Sequence, residues 1–308
     1  MRIIKAFLLF LICFSAIVAT ITFLFFVSIK ERERSQLISP IVESVAKSGQ
    51  HVLSLFTKGV DRIIADSFTE DEGIYSVIVI DLKSNQTYSL NPDRVYKSAS
   101  LYKLWVMAAT YQAIDDGRIK KSDQIQDSVE NLNNSFKIAS DEAELTSGTI
   151  STTVGNALEK AITVSDNYSA LLLTKKLGVP AINSFLKSQE LTHSKTTLQP
   201  VTTASDIALF YFNLYNNKLV NHKSSQEMLE LLKRQAINDR IPKYLPSNAT
   251  IAHKTGELNT LKHDAGIVFT PKGDFILVML SDTDDPKKAA EKMARLSEQI
   301  YLNFTSSH

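Results

Sequence analysis

The chain has 308 residues, with 34 lysines and arginines against 33 aspartates and glutamates. This balance excludes a broad basic surface, so we expect no nucleic-acid partner. Hydrophobic residues make up 44% of the sequence, which is enough for a packed core. The single cysteine, Cys13, excludes disulfides within the chain. The six histidines lack metal-ligand spacing, so we expect no metal and no cofactor.

The first 30 residues have the composition of a membrane anchor. Residues 6–29 contain no charged side chain, and at about 1.5 Å per residue they are long enough to span a bilayer core of about 30 Å. We expect residues 1–30 to be a retained single-pass anchor in the cell membrane. The alternative is a signal peptide cleaved near Ala16–Ala19, which would release a secreted protein. Lysines and arginines flank both ends, so their count does not decide the orientation.

After the anchor, the hydrophobic pattern predicts strands near both ends of the chain and helices between them. We expect a juxtamembrane linker and helix over residues 31–70 and one domain over residues 71–308. The segment from Ser100 to about Tyr244 is predicted to be almost entirely helical, and a last helix covers 286–303. Predicted strands cover residues 75–82, 86–90, 249–256, 264–270 and 275–281. This order predicts a two-lobed α/β fold, with one sheet from distant parts of the chain, an inserted helical lobe, and a ligand in the cleft between.

Residues 98–105 begin the most apolar predicted helix and contain a Ser-x-x-Lys motif. Ser100 and Lys103 are three residues apart, so both side chains would leave one face of the helix. A neutral lysine amine can take the proton of a serine hydroxyl and so make the oxygen a nucleophile. The same spacing occurs at Ser44–Lys47 and Ser184–Lys187, where a solvated helix face is the simpler interpretation. The copy at Ser100 leads into a long apolar stripe, which favours a buried helix with a functional polar start.

Two further polar triplets follow in the chain. Ser165-Asp166-Asn167 lies in the predicted helical lobe, and Lys254-Thr255-Gly256 ends a predicted strand. Each has an ordinary interpretation, because serine, aspartate and asparagine commonly cap helices or form turns, and Lys-Thr-Gly at a strand end is usually a turn. The order and placement of three such motifs in one chain favour a single site instead.

With these motifs in this order, the sequence resembles the penicillin-recognising serine acyltransferases, and within them the class A β-lactamase-like proteins. The resemblance covers about residues 70–304, and includes Thr153-Val154-Gly155 before the second triplet and Ala252-His253 before the third. It implies a β-lactamase/transpeptidase-like fold, in which an antiparallel sheet is flanked by helices and carries an inserted all-helical lobe. Members of the family work outside the cytoplasmic membrane, which implies an extracytoplasmic domain.

The resemblance implies that Ser100 is the acylated nucleophile and that Lys103 accepts its proton. It further implies that Ser165 passes a proton to the leaving nitrogen. Which group acts as the base in acylation is disputed for this family, so the role of Lys103 stays open at this point. The reaction needs a nucleophile, a neutral amine and a proton relay, and these three residues would supply them.

The remaining motif residues are implied to bind the substrate. Asn167 would hold the substrate amide, and the substrate carboxylate would lie against Lys254-Thr255-Gly256. The oxyanion hole would be formed by the backbone N–H groups of Ser100 and Glu257. Donors of this kind are typically worth about 10²–10³ in turnover.

Three features depart from class A β-lactamases. Their long loop with a Glu-x-x-x-Asn motif is shortened here, and residues 186–209 contain no such motif, with Leu198 or Gln199 expected at the vacated position. Loss of a positioned general base commonly costs about 10²–10⁴ in rate, so deacylation should be slow. Glu257, directly after the third triplet, would favour an amine-bearing or peptide substrate. No arginine occurs on the following strand, where Lys262-His263 are nearest to the carboxylate site.

The leading hypothesis is a membrane-anchored serine hydrolase of the D,D-peptidase type that acts on D-Ala-D-Ala-type peptides or on β-lactams. A second hypothesis is a class A-type β-lactamase with slow deacylation. A third, from another class, is a non-catalytic sensor of the cell wall or of lactams. The expected partners are a peptidoglycan stem peptide or a β-lactam, and the membrane through the N-terminal helix.

Overall fold

The computed structural model describes residues 59–68 and 73–306. The predicted anchor over residues 1–30 and most of the predicted linker over residues 31–70 lie outside these described residues. Within the described ranges, no helix is long and apolar enough to cross a bilayer.

Nine helices and nine strands are found in the described residues. The helices are α1 (Val60–Ser67), α2 (Tyr102–Asp115), α3 (Val129–Phe136), α4 (Val154–Thr163), α5 (Asn167–Leu177), α6 (Val179–Ser188), α7 (Ala204–Tyr215), α8 (His222–Lys233) and α9 (Pro286–Ser306). The strands are β1 (Ile74–Asp81), β2 (Thr87–Leu90), β3 (Tyr96–Lys97), β4 (Gln124–Ser128), β5 (Thr149–Thr153), β6 (Val201–Thr202), β7 (Thr250–Leu258), β8 (Leu261–Phe269) and β9 (Phe275–Asp282).

Five strands form one antiparallel sheet in the order β2-β1-β9-β8-β7. The sheet therefore joins both ends of the domain, as the sequence predicts, and places β7 at one edge. Side chains alternate between the two faces of a strand. Phe275, Leu277 and Met279 on β9 pack against α1 and α9. Ile276 and Val278 belong to the larger core formed with the inserted helices. Because both faces are covered, β9 is apolar along its length.

Helix α2 lies at the centre of the inserted helices. The predicted apolar stripe is buried, but α2 is surrounded on nearly every side rather than only along that stripe. Trp105 is 1% exposed, and its indole N–H donates to Thr196 Oγ1 at 2.8 Å, so its polar atom is satisfied inside the core. This packing fixes the helix that follows the Ser-x-x-Lys serine. Five consecutive residues are at most 1% exposed: Leu104, Trp105, Val106, Met107 and Ala108.

The prediction of an almost entirely helical segment from Ser100 to Tyr244 was wrong at three short strands, β4, β5 and β6. Strands β4 and β5 pair with each other, and β3 pairs with β6. The sequence of β4, Gln-Ile-Gln-Asp-Ser, is mostly polar and gives little alternation of apolar residues. Strands β3 and β6 have two residues each and are separated by about 100 residues, so no local pattern could have predicted their pairing.

Strands β7 and β8 approach each other closely at Gly266, whose partner in the register is His253. A Cβ atom at position 266 would lie 2.5 Å from His253 Cβ and 2.6 Å from Ala252 O, closer than side-chain contacts allow. Glycine is therefore required here. The close pairing fixes the backbone of β7 next to Lys254.

We predict that Gly266→Ala lowers the free energy of unfolding by about 1–3 kcal/mol, because the added methyl group has no room against the backbone of β7. Chemical denaturation followed by circular dichroism measures the change. The control is Ser151→Ala at an exposed position of β5, which should stay within about 0.5 kcal/mol of the wild type. A Gly266→Ala protein of unchanged stability would contradict this account of the packing.

Candidate active site

Ser100 lies in a 3₁₀ turn, Ala99–Leu101, which leads directly into α2. The sequence predicts that this residue lies within the helix, and that prediction was wrong, because Ser100 lies in the tighter turn before α2. Ala99 has a φ of 44°, a left-handed conformation that is costly for a residue with a Cβ atom. The N–H of Ser98 donates to Pro200 O at 2.8 Å, which holds the segment before the turn.

His263 also holds the segment that leads to the nucleophile. Burial lowers the pKa of His263 to about 4, so its ring is neutral at pH 7. Its Nε2–H donates to Lys97 O at 3.0 Å, and its Nδ1 accepts a hydrogen bond from the Ser281 N–H at 3.2 Å. Both ring nitrogens are therefore used. His263 positions the chain before Ser100 and is not available to bind a substrate carboxylate.

The side chain of Lys103 is buried at the centre of the site, with 1% of the residue exposed. Its Nζ lies 3.1 Å from Ser100 Oγ and 3.2 Å from Ser165 Oγ. It donates to Asn167 Oδ1 at 2.6 Å and to the carbonyl oxygen of Ser165 at 2.5 Å. The first two motifs of the sequence thus converge on one amine.

The environment of Lys103 makes its amine a usable base. Burial lowers the pKa of Lys103 to about 8, although the nearby carboxylates of Asp166 and Glu144 act in the opposite direction. With that pKa, about a tenth of the molecules carry a neutral amine at pH 7. A neutral amine 3.1 Å from a hydroxyl can accept its proton.

Ser165 is presented by the sharp turn between α4 and α5. Its φ of 59° is left-handed, a second case of local backbone strain in the site. Asp166 serves as the cap of α5, because its side chain accepts a hydrogen bond from the Ser169 N–H at 2.7 Å. The capping interpretation therefore holds for Asp166. The hydroxyl of Ser165 instead points into the site, 3.2 Å from Lys103 Nζ and 2.9 Å from Lys254 Nζ.

Lys254 brings the third motif to the same hydroxyl from the edge strand β7. The residue is fully buried, and its Nζ donates to Ser165 Oγ at 2.9 Å and to Thr255 O at 2.8 Å. Burial holds the pKa of Lys254 well below its usual value, and the positive charge of Lys103 lowers it further. Two amines of reduced basicity therefore share one serine hydroxyl.

Gly256 allows β7 to pack directly against the turn that carries the nucleophile. A Cβ atom at this position would lie 3.2 Å from Ser98 O and 3.2 Å from Leu101 Cγ. The next residue on the strand is Glu257, so its backbone N–H lies one residue beyond this contact along β7. Thr255 and Glu257 are two residues apart on β7, and their side chains leave the same face of the strand.

Arg240 is a residue of the site that the sequence analysis missed. It lies in the loop between α8 and β7, is fully buried, and its Nη2 donates to Glu257 Oε2 at 2.7 Å. The loop is held by Asp264, whose Oδ2 accepts a hydrogen bond from the Ile241 N–H at 3.0 Å. Arg240 therefore brings an arginine next to Glu257, although β8, the strand that follows β7, contains none. It belongs to no motif, so the sequence carried no signal for its position.

Glu144 is a second residue that the sequence analysis missed. Its Oε1 accepts a hydrogen bond from Asn167 Nδ2 at 2.6 Å, while Asn167 Oδ1 accepts one from Lys103. Both ends of the Asn167 amide are therefore fixed. Glu144 comes from the irregular segment between α3 and β5, which has no pattern that predicts such a contact.

The shortened segment after α6 forms a small turn beside the nucleophile. Lys195 and Val201 pair across it, and Leu198 near its tip is 55% exposed. Residues 191–201 include no aspartate or glutamate, so this turn brings no carboxylate to the site. Glu190, the acid that precedes the turn, is exposed at the end of α6.

The Ser-x-x-Lys copy on α6 contributes nothing to this site. Ser184 and Lys187 are exposed on α6, which is the solvated helix face that the simpler interpretation predicted. Ser44–Lys47 lies outside the described residues.

Comparison with known sequences gives a consistent result. The family model described as "Beta-lactamase enzyme family" matches residues 58–304. β-Lactamase VEB-1 of Pseudomonas aeruginosa is 23% identical over 256 residues, which cover 74% of this chain and 85% of that protein. β-Lactamase BRO-1 of Moraxella catarrhalis is 25% identical over 173 residues, which cover 48% of this chain and 54% of that protein.

Solved structures show the same fold. The β-lactamase of Sphaerobacter thermophilus DSM 20745 superposes with a TM-score of 0.71 at 22% identity, covering 81% of this chain and 98% of that one. PBP-A superposes with a TM-score of 0.71 at 20% identity, covering 80% and 96%. A mutant of PBP-A, solved as an acyl-enzyme complex with penicillin G, gives the same values. The antiparallel sheet with its flanking helices is therefore a β-lactamase-like α/β fold.

We predict that two lysine side chains titrate below the usual lysine value of about 10.4, because both are buried next to each other. NMR spectra of protein with ¹³C-labelled lysines, recorded from neutral to alkaline pH, should show one of them with an apparent pKa of about 8. Lys103→Met and Lys254→Met should each remove one of the two signals. If every lysine signal titrated above about pH 10, this description of the site would be wrong.

Proposed function

The chain belongs to the β-lactamase enzyme family and is a serine hydrolase, and from this premise we propose that it forms an acyl-enzyme at Ser100. The observation that carries the proposal is the distance of 3.1 Å between Ser100 Oγ and Lys103 Nζ, an amine whose pKa burial lowers. The proposed substrates are D-Ala-D-Ala-type peptides of peptidoglycan and β-lactams. The names of the relatives, which are β-lactamases, support the second substrate class.

In the proposed acylation, neutral Lys103 takes the proton of the Ser100 hydroxyl as Oγ attacks the carbonyl carbon of the substrate. The negative charge that develops on the carbonyl oxygen is proposed to face the backbone N–H groups of Ser100 and Glu257. The contact of β7 with the nucleophile turn at Gly256 supports this placement, because it brings the end of β7 next to Ser100.

The proton then has to reach the leaving nitrogen. Ser165 is proposed to donate its hydroxyl proton to that nitrogen as the C–N bond breaks, and to recover a proton from the ammonium of Lys103. Lys103 is thereby neutral again. The distances of 3.2 Å and 2.9 Å from Ser165 Oγ to the two lysine amines support this relay, since the hydroxyl is held by both.

Substrate binding is proposed to use the remaining motif residues. Asn167 donates one amide N–H to Glu144, and its second N–H is proposed to bind a carbonyl oxygen of the substrate. The carboxylate of the substrate is proposed to lie against Lys254-Thr255-Gly256. The exposed end of β7 and the buried cations beside it support this assignment.

Deacylation is proposed to be slow, because the turn over residues 191–201 offers no carboxylate to activate water. A long-lived acyl-enzyme is the behaviour expected of a D,D-peptidase-like protein that binds penicillin. The second candidate is a β-lactamase with slow turnover, which the β-lactamase relatives favour. The two candidates differ in how long the acyl group stays on Ser100.

The domain is further proposed to lie outside the cytoplasmic membrane, anchored by residues 1–30, or to be secreted if that segment is cleaved. The uncharged stretch over residues 6–29 supports the anchor. A substrate from peptidoglycan would be reached on that side of the membrane.

We predict that a labelled penicillin adds one acyl group to the full chain, and that peptide mapping by mass spectrometry locates the group on Ser100. The adduct should persist after the free penicillin is removed, because no carboxylate of the turn activates water. Ser100→Ala is the control and should remain unlabelled. Rapid loss of the adduct with penicillin turnover would favour the second candidate. If wild type and Ser100→Ala behaved alike, with neither label nor turnover, the proposed function would be wrong.

We predict that the rate of acylation rises with pH and reaches half of its maximum near pH 8, because only the neutral amine of Lys103 accepts the proton. Asp166→Asn keeps a capping side chain at the start of α5 but removes a negative charge that raises the pKa of Lys103. The midpoint should therefore move to lower pH. Stopped-flow acylation across the pH range measures both profiles. A flat profile, or a shift to higher pH in the variant, would contradict this role of Lys103.

A further inference from the structure

The carboxylate of Glu257 forms ion pairs with two buried cations beside the proposed substrate site. Its Oε2 lies 2.7 Å from Arg240 Nη2 and 2.5 Å from Lys262 Nζ. Lys262 is its direct partner across the β7–β8 pair, so both side chains lie on one face of the sheet. The side chains of Arg240 and Lys262 are 0% and 8% exposed, whereas that of Glu257 is 57% exposed. An accessible carboxylate thus pairs with two cations that water hardly reaches.

Within the described part of the chain, the cluster leaves two donors of Arg240 without an acceptor. Among the described residues, none accepts a hydrogen bond from Nε or Nη1 of Arg240, although both atoms are buried. Asp239, which is half exposed, lies 3.5 Å from Arg240 Nη1 and 3.8 Å from Lys262 Nζ, beyond close hydrogen-bond contact. Buried guanidinium donors without acceptors are costly, so the cluster depends on the carboxylate of Glu257 as its close anionic partner.

Glu257 remains anionic in this position. Burial alone would raise its pKa, but the hydrogen bond and charge of Lys262, together with the charge of Arg240, outweigh that effect and lower the pKa of Glu257. At neutral pH its side chain therefore carries the negative charge that pairs with Arg240 and Lys262.

The position of this carboxylate matters for the substrate. Thr255 and Glu257 project from the same face of β7, and the proposed function places the substrate carboxylate against Lys254 and Thr255. A second carboxylate that arrives there meets the charge of Glu257. It gains Arg240 and Lys262 only if Glu257 is displaced, and displacement would leave Glu257 without its two partners.

We propose that Glu257 is a specificity-determining residue, which occupies the cationic cluster in place of a substrate carboxylate. The site therefore binds only weakly the carboxylate that D-Ala-D-Ala-type peptides and β-lactams both carry next to the leaving nitrogen. It favours donors that carry a neutral or amine-bearing group there, such as a peptide that continues beyond the bond that breaks. Repulsion of the wrong substrate is a common route to specificity. This inference rests on the proposed function, because it assigns a preference within that site.

The first test compares benzylpenicillin, which is an anion, with its neutral methyl ester. The measured quantity is the ratio of their second-order rate constants for acylation of Ser100 in the full chain. In Glu257→Gln, which keeps the shape of the side chain, the ratio should shift towards benzylpenicillin by about tenfold or more. Asp239→Asn is the matched control, since it removes one negative charge from the same cluster, 3.5 Å from Arg240 and 3.8 Å from Lys262, but no hydrogen bond to either cation. Its ratio should stay within about threefold of the wild type, because Asp239 makes no hydrogen bond to Arg240 or Lys262.

The second test does not depend on catalysis and uses acetate as the probe. Acetate should raise the Tm of Glu257→Gln by about 2–4 °C relative to chloride at equal ionic strength, and should leave the wild type and Asp239→Asn unchanged. Where both penicillins acylate Ser100, an unchanged ratio in folded Glu257→Gln overturns the inference. If neither compound acylates Ser100 in any variant, the proposed function fails. In that case the acetate comparison alone decides whether Glu257 fills an anion site, and no difference between variants overturns the inference.

Discussion

The hydroxyl of Ser165 lies between two buried lysine amines, and the chemistry of the site depends on this contact. The Nζ atoms of Lys103 and Lys254 are 3.2 Å and 2.9 Å from one oxygen, inside a space that water hardly reaches. Burial removes the hydration that favours the charge of each ammonium group, and the positive charge of Lys103 further disfavours the charge of Lys254. Their pKa values fall as a result, and a lysine can then act as a base without the help of histidine.

The fold creates this contact by joining three distant parts of the chain and by tolerating strain at two of them. Ala99 and Ser165 both have left-handed backbones, directly at the turns that present the two serines. Such conformations persist only where the surroundings hold them. Helix α2 is buried on nearly every side, α5 is capped by Asp166, and β7 packs on the nucleophile turn through Gly256. Rigid elements therefore carry each reactive group.

The sequence predicted those parts of the structure that local patterns or motifs describe. The sheet from both ends of the chain followed from apolar runs, and Ser100, Ser165 and Lys254 followed from short motifs within a family resemblance. The partners of Glu257 and Asn167 were not predictable, because they come from irregular loops whose positions depend on tertiary packing. Arg240 and Glu144 are such cases: neither belongs to a motif, and each reaches its partner, Glu257 or Asn167, across the fold.

The most direct test of the account is the rate at which a labelled penicillin acylates Lys103→Arg. The guanidinium keeps the positive charge, but it does not lose its proton in proteins, so it cannot accept the proton of Ser100. If the amine of Lys103 is the base, acylation of the folded variant should fall by about 10²–10⁴ and should not recover at high pH. A folded Lys103→Arg protein that is acylated nearly as fast as the wild type would contradict the account.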